Sequence, residues 1–166
     1  MSRPVPCLTL HGWSSLVALC VQSVACSLLG MTLTSPYAST SAPTAGWYAA
    51  MDAFLDSCVA AGFRVNFQLI AYESKPNDAE TLASLTAQIN RYKSHPAIMS
   101  WYLADEPGGQ GIKNTSLLPK YKAVRAADET GKPVSMVFCT TQAADYLEML
   151  DVIMVDPYPV PGSRCV

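Results

Sequence analysis

Two adjacent carboxylates and a proline, Ala104-Asp105-Glu106-Pro107, directly follow the apolar run His95-Pro96-Ala97-Ile98-Met99-Ser100-Trp101-Tyr102-Leu103. Carboxylates are costly to bury along a strand, and here they stand at its end. That is where α/β sheets and barrels hold ligands and catalytic groups. Glu106 is the candidate catalytic acid and Asp105 a candidate substrate contact. The plain alternative is a solvated exit from strand to loop. A later apolar run ends in Asp156-Pro157-Tyr158-Pro159, so Asp156 and Tyr158 are candidates for the same cleft. An earlier run ends in Tyr72-Glu73, which are secondary candidates. Asp105, Glu106 and Asp156 are hard oxygen ligands, but no loop has the dense acidic spacing of a cation site, and no metal is expected. No glycine fingerprint follows the first strand, and no cofactor is expected.

The elements that must position these residues are legible from residue 47 onward. Trp47, Met51, Phe54, Leu55, Cys58 and Val59 follow a helical period, and Gly62 supplies the stop. Arg64 to Tyr72 reads as a strand. Asn77 with Glu80 marks a helix start, a variant of the capping box, and Leu82, Leu85, Ile89 and Tyr92 form its stripe. The central strand follows His95-Pro96. Trp101 and Tyr102 read as core, and His95 sits at the face opposite the chemistry. After the flexible Pro107-Gly108-Gly109-Gln110-Gly111 loop, Thr115 or Ser116 caps a third helix carrying Leu118, Tyr121 and Val124. Val134 to Cys139 is a strand, Tyr146, Leu147 and Leu150 mark a short helix, and Asp151 to Val155 is the last strand. Strict helix–strand alternation argues for an α/β fold, a parallel sheet of right-handed βα units. The spacing fits an incomplete (β/α)8 barrel, which needs about 250 residues when whole. It also fits a small open doubly wound sheet.

His95-Pro96 through Pro107, with Asp151 through Pro159, resembles the TIM-barrel glycoside hydrolases of the large retaining superfamily called clan A. The resemblance covers most of residues 47–161. In that superfamily the fourth strand is commonly entered from His-Pro and ends in Asn-Glu-Pro, its Glu being the general acid/base. The resemblance implies that role for Glu106, and puts Asp105 at the position that usually binds a sugar hydroxyl. Asp replaces Asn there, and an ionised Asp only accepts hydrogen bonds. A general acid must hold its proton at working pH, which partial burial beside another negative charge favours. Pro107 keeps the residue before it out of the helical region. A retaining mechanism needs a second carboxylate about 5 Å away. The family supplies it as a Glu at the seventh strand, which this sequence does not reach; Asp156 does not match that position. The resemblance therefore implies the middle of a barrel, a fragment that lacks the nucleophile and is inactive as the isolated chain. The expected partner is a carbohydrate substrate, with self-association through exposed barrel edges. The alternative is a non-catalytic carbohydrate-binding or assembly module.

The chain has 166 residues, of which 50% are hydrophobic and 14% charged, a folding composition. Net charge is -2 with no basic patch, so nucleic acid is not an expected partner. Arg3 is the only formal side-chain charge before Asp52, and a largely apolar segment, Ser14 to Leu33, follows it. Residues 1–46 read as a signal peptide or leader that runs into a Ser/Thr/Pro linker from Thr32, with cleavage candidates at Ser23-Val24-Ala25 and Tyr37-Ala38-Ser39. The partial glycoside hydrolase-like barrel occupies residues 47–166. The location that follows is secreted or extracellular, or anchored to a membrane by the N-terminal segment. Rival readings of that segment are an uncleaved anchor and a remnant of buried core; Gln22 and several Ser and Thr weaken a spanning helix. The sequon Asn114-Thr115-Ser116 adds slight support for secretion. Of the 6 Cys, Cys58 on a helix core face and Cys139 at a strand end read as buried thiols.

Overall fold

One parallel sheet of five strands organises the computed structural model of the chain, which describes residues 33–34, 44–69, 72–139 and 141–155. The strands are β1 (Leu33–Thr34), β2 (Val65–Gln68), β3 (Ile98–Asp105), β4 (Val134–Phe138) and β5 (Val152–Val155). Between them run α1 (Ala45–Ala60), α2 (Ala79–Tyr92), α3 (Asn114–Ala127) and a 3₁₀ helix (Thr141–Met149). Each strand pairs in parallel with the next in sequence. A doubly wound sheet reverses direction at a switch point. This order, β1-β2-β3-β4-β5, has no reversal and is that of a winding barrel.

Side chains alternate across the sheet, and its two faces differ. Phe67 lies between two rings, 5.0 Å from Tyr92 of α2 and 5.7 Å from Trp101 of β3, centroid to centroid. Met51, Phe54, Leu55 and Cys58 of α1, and Leu85 and Ile89 of α2, join this core. The alternate set is polar. Asn66 Oδ1 accepts from Ser100 Oγ at 2.7 Å and from Ser135 Oγ at 3.0 Å, and its Nδ2 donates to Met154 Sδ at 3.4 Å. All three polar side chains are buried. One amide thus ties four strands, and a slip of one residue would strand its partners in the apolar layer.

Several boundaries depart from the expected ones for local reasons. β1 falls in the stretch read as linker; a two-residue strand has no period, and it exists through pairing of Leu33 with Val65 and Thr34 with Asn66. α1 starts at Ala45 because Thr44 accepts from Trp47 N at 3.1 Å. It ends as expected at Gly62 (φ +77°), where Phe63 N reaches back to Cys58 O at 2.8 Å. α2 is capped by Asp78 rather than Asn77, with Oδ1 2.7 Å from Thr81 N. α3 begins at Asn114, with Lys113 in the cap position and no side-chain cap, in place of the expected Thr115 or Ser116. Leu118 and Tyr121 of its expected stripe are half-buried, while Leu117 and Lys120 are buried. The fourth helix is 3₁₀. Cys139 is disulfide-bonded, which corrects its reading as a buried thiol; it sits half-buried just past β4.

At β5, Val152, Ile153 and Val155 are exposed. Full burial of one such side chain is worth roughly 1.5–3 kcal/mol, so this edge forgoes stabilisation that the other strands gain. No helix among the described residues is long and apolar enough to cross a membrane.

Candidate functional site

The C-terminal end of β3 carries Asp105 and Glu106, and each is held by its backbone. Glu106 N donates to Val137 O of β4 at 2.9 Å, and Glu106 O accepts from Gln110 N at 3.0 Å. Between these two bonds Glu106 has φ +45°, the one non-glycine residue with positive φ among those described. Its Oε1 is buried and has no hydrogen-bond partner among the described residues. Buried acceptors are normally paired, and an exception calls for a reason.

Asp105 is surrounded by donors and one acid. Its Oδ1 accepts the Tyr102 hydroxyl at 2.7 Å, its carbonyl accepts Gln110 Nε2 at 2.5 Å, and its N–H donates to Glu73 Oε2 at 2.9 Å. Burial pushes the Tyr102 phenol well above its ordinary value. The bond to Asp105 and the charges of Asp105, Glu73 and Glu106 push the same way. Three carboxylates therefore bear on one phenol at the strand ends. Burial also pushes the Glu73 carboxyl up, opposed by its bonds to the Asp105 amide and Gln110 and reinforced by the Asp105 charge.

Of the sequence candidates, Asp105 and Glu106 come together here, with the secondary candidate Glu73 joined to them through the Asp105 amide. Tyr72 is buried in the core, and its hydroxyl meets Ser84 of α2 at 3.0 Å. Asp156 and Tyr158 lie outside the described residues. Tyr102, expected as plain core, sends its hydroxyl to Asp105, three residues along the same strand. A Tyr three residues before the strand-end Asp is the signal that could have found it. Gln110 had no signal within its glycine-rich loop. Two clefts flank the segment Gly111–Lys113. One, of about 420 Å³, is lined by Glu73, Pro76, Asn77 and Ser116 among others. The other, of about 450 Å³, reaches Gly108, Asp145 and Tyr146. Glu73 borders the first; Asp105 and Glu106 line neither. The sequon residue Asn114 is engaged: its Nδ2 donates to Asp145 O at 3.0 Å. Among the described residues no group of three His, Cys, Asp or Glu is placed to hold a metal ion.

No family model matches the chain, and no curated protein matches it. Among solved structures, a β-glucuronidase of Bifidobacterium dentium, complexed with coumarin-3-O-glucuronide, is similar with a TM-score of 0.54 and 19% identity. The fold likeness is to a glycoside hydrolase. It covers 86% of this chain, which spans 24% of that enzyme's length. At this identity the likeness shows the fold, an α/β chain with a parallel, barrel-like sheet.

The backbone of Glu106 makes a separate prediction. A left-handed residue with a Cβ costs roughly 1–2 kcal/mol, and glycine escapes that cost. At an ordinary site Gly is less stable than Ala; here the order is expected to invert, with Glu106→Gly about 1 kcal/mol more stable than Glu106→Ala. Urea unfolding of the two variants checks this. An Ala variant equal to or more stable than the Gly variant would mean the turn is unstrained.

Proposed function

We propose that the chain forms part of a glycoside hydrolase-like (β/α)8 barrel acting on O-glycosidic bonds, with Glu106 as general acid/base. The observation that carries this reading is Glu106 itself: a strained residue at a strand end whose buried Oε1 lacks a partner among the described residues. Strain and unpaired polar atoms cluster where a site must meet a ligand. A protonated carboxyl there would donate to the glycosidic oxygen and, once ionised, accept a proton from water. Asp105, with Oδ1 taken by Tyr102, has its second oxygen to accept from a sugar hydroxyl. Asp156 and Tyr158, just past β5, are the further contacts, Asp156 being a further strand-end carboxylate that the sequence offers. The sequential strand order and the likeness to a β-glucuronidase fold support the barrel. The disulfide at Cys139 supports an oxidising, secretory location. The exposed apolar edge of β5 supports self-association.

The test is a panel of aryl glycosides and oligosaccharides offered to the 166-residue chain and to Glu106→Gln. Sugar-induced shifts of the Asp105 and Glu106 amide resonances that the substitution alters are the expected result, with phenol release where a second carboxylate stands about 5 Å from Glu106. A chain that neither releases phenol nor shows sugar-induced shifts of the Asp105 and Glu106 amide resonances would overturn the proposal.

A further inference from the structure

Glu73 stands in the loop after β2 and is 8% exposed. Its Oε2 accepts the Asp105 N–H at 2.9 Å across the gap between two strand ends. An amide N–H needs only an acceptor, and a glutamine or a backbone carbonyl would serve. An acid buried beside Asp105 is a costlier choice, and such choices concentrate where charge is used. The same amide belongs to the residue before Glu106, so whatever holds it also sets where the left-handed turn begins. We propose that Glu73 is a positioning residue of the carboxylate site, fixing the Asp105 amide so that Glu106 is presented in its strained turn. This rests on the reading of Glu106 as the acid/base.

The groups that bear on Glu73 come from three elements. β3 contributes Asp105 and Tyr102, the following loop contributes Gln110, and Lys75 and Lys113 border the same cleft. Burial holds the Glu73 carboxyl above its ordinary value, with the Asp105 charge acting in the same direction. While protonated, Glu73 accepts through its carbonyl oxygen and adds no charge next to Asp105 and Glu106. Once ionised, it becomes a stronger acceptor for the amide and places another negative charge beside Tyr102. The Asp105 amide therefore reports the state of Glu73 directly.

The experiment is a pH titration of the Asp105 amide resonance in the full, ¹⁵N-labelled chain. The expected result is a titration with a midpoint above that of an ordinary glutamate, absent in Glu73→Gln while the amide stays protected from exchange. In Glu73→Ala the Asp105 amide should exchange about tenfold faster or more, as a lost hydrogen bond of about 1.4 kcal/mol implies. A high-midpoint titration that persists in Glu73→Gln, or unchanged exchange in Glu73→Ala, overturns the proposal. If Glu73→Ala fails to fold, the Glu73→Gln titration alone decides. Failure of the glycosidase reading registers elsewhere: Glu106→Gln would leave glycoside turnover unchanged while the amide result stood.

Discussion

In a complete barrel that supplies the second carboxylate, Glu106→Ala is expected to slow cleavage of alkyl glycosides, or of aryl glycosides with weakly acidic phenols, by about 10²–10⁴-fold. Glycosides of strongly acidic phenols should lose far less. The contrast follows from what a general acid does. A poor leaving group departs as an alkoxide unless it is protonated as the bond breaks, and Glu106 would supply that proton. A strongly acidic phenol leaves as a stable anion and needs no proton. A side chain that only shaped the cleft would depress all substrates alike, so the ratio between leaving groups separates acid catalysis from folding damage. The substitution also removes the buried Oε1, which has no partner among the described residues, so the protein should lose little stability. Initial rates over a leaving-group series, alongside unfolding midpoints, make the measurement. A uniform loss across the series would remove Glu106 from the acid role and leave Asp105 or Glu73 to be tested the same way.

What could be read in the sequence divides by how local its cause is. β3 was legible because His95-Pro96 and Pro107 bracket an apolar run, and proline acts on its immediate neighbours. The α1 and α2 stripes were legible because Met51, Phe54, Leu55 and Cys58, and Leu85, Ile89 and Tyr92, repeat at helical spacing. The hidden features depend on contacts across the fold. β1 owes its existence to pairing with β2. Lys120 would be expected on a solvated face, yet it is buried. Its amine donates to Lys75 O at 2.7 Å, Asn77 Oδ1 at 2.9 Å and Ser116 O at 3.1 Å. Those three bonds fill its donors and tie α3 to the loop carrying Glu73, while burial pulls its amine below the ordinary lysine value. At the site, Asp105 and Glu106 announced themselves by type and position. Glu73 was a secondary candidate as a strand-end acid, but the supports Tyr102 and Gln110 looked like core and loop residues until the chain brought them together. The left-handed backbone of Glu106 was equally hidden, since Pro107 argues only against the right-handed helical region.

The largest stability effect is expected far from the carboxylate pair, at Asp128 past the end of α3. Asp128 is 6% exposed and accepts from four donors. Trp101 Nε1 and Lys132 N reach its Oδ2 at 2.7 and 3.2 Å, and Thr130 N and Oγ1 reach its Oδ1. Burial raises the Asp128 carboxyl. The bonds from Thr130 and Trp101 and the Lys132 charge outweigh that, and the net shift is downward. Asp128→Ala strips the Trp101 indole N–H and two backbone amides of their acceptor. Each buried donor left unpaired costs about 1–3 kcal/mol, so a loss of about 3 kcal/mol is a moderate expectation. Asp128→Asn keeps the shape but turns an NH₂ towards N–H donors, and should lose nearly as much. The pH dependence gives the mechanism away. A folded-state pKa below the unfolded one means that the native state stabilises the ionised form. That stability is fully present above the unfolded value and is lost as pH falls through the folded one. The gap between the wild type and Asp128→Asn should therefore hold near about pH 6 and shrink below about pH 4, as chemical unfolding would show. A gap that stays constant down to about pH 2 would mean that Asp128 acts through packing alone. Trp101 lies on β3, the strand that ends at Asp105 just before Glu106, and its ring packs beside Phe67 of β2. None of the bonds to Asp128 reaches the carboxylate pair, so an Asp128→Asn protein is expected to lose any activity in step with its unfolded fraction and no faster.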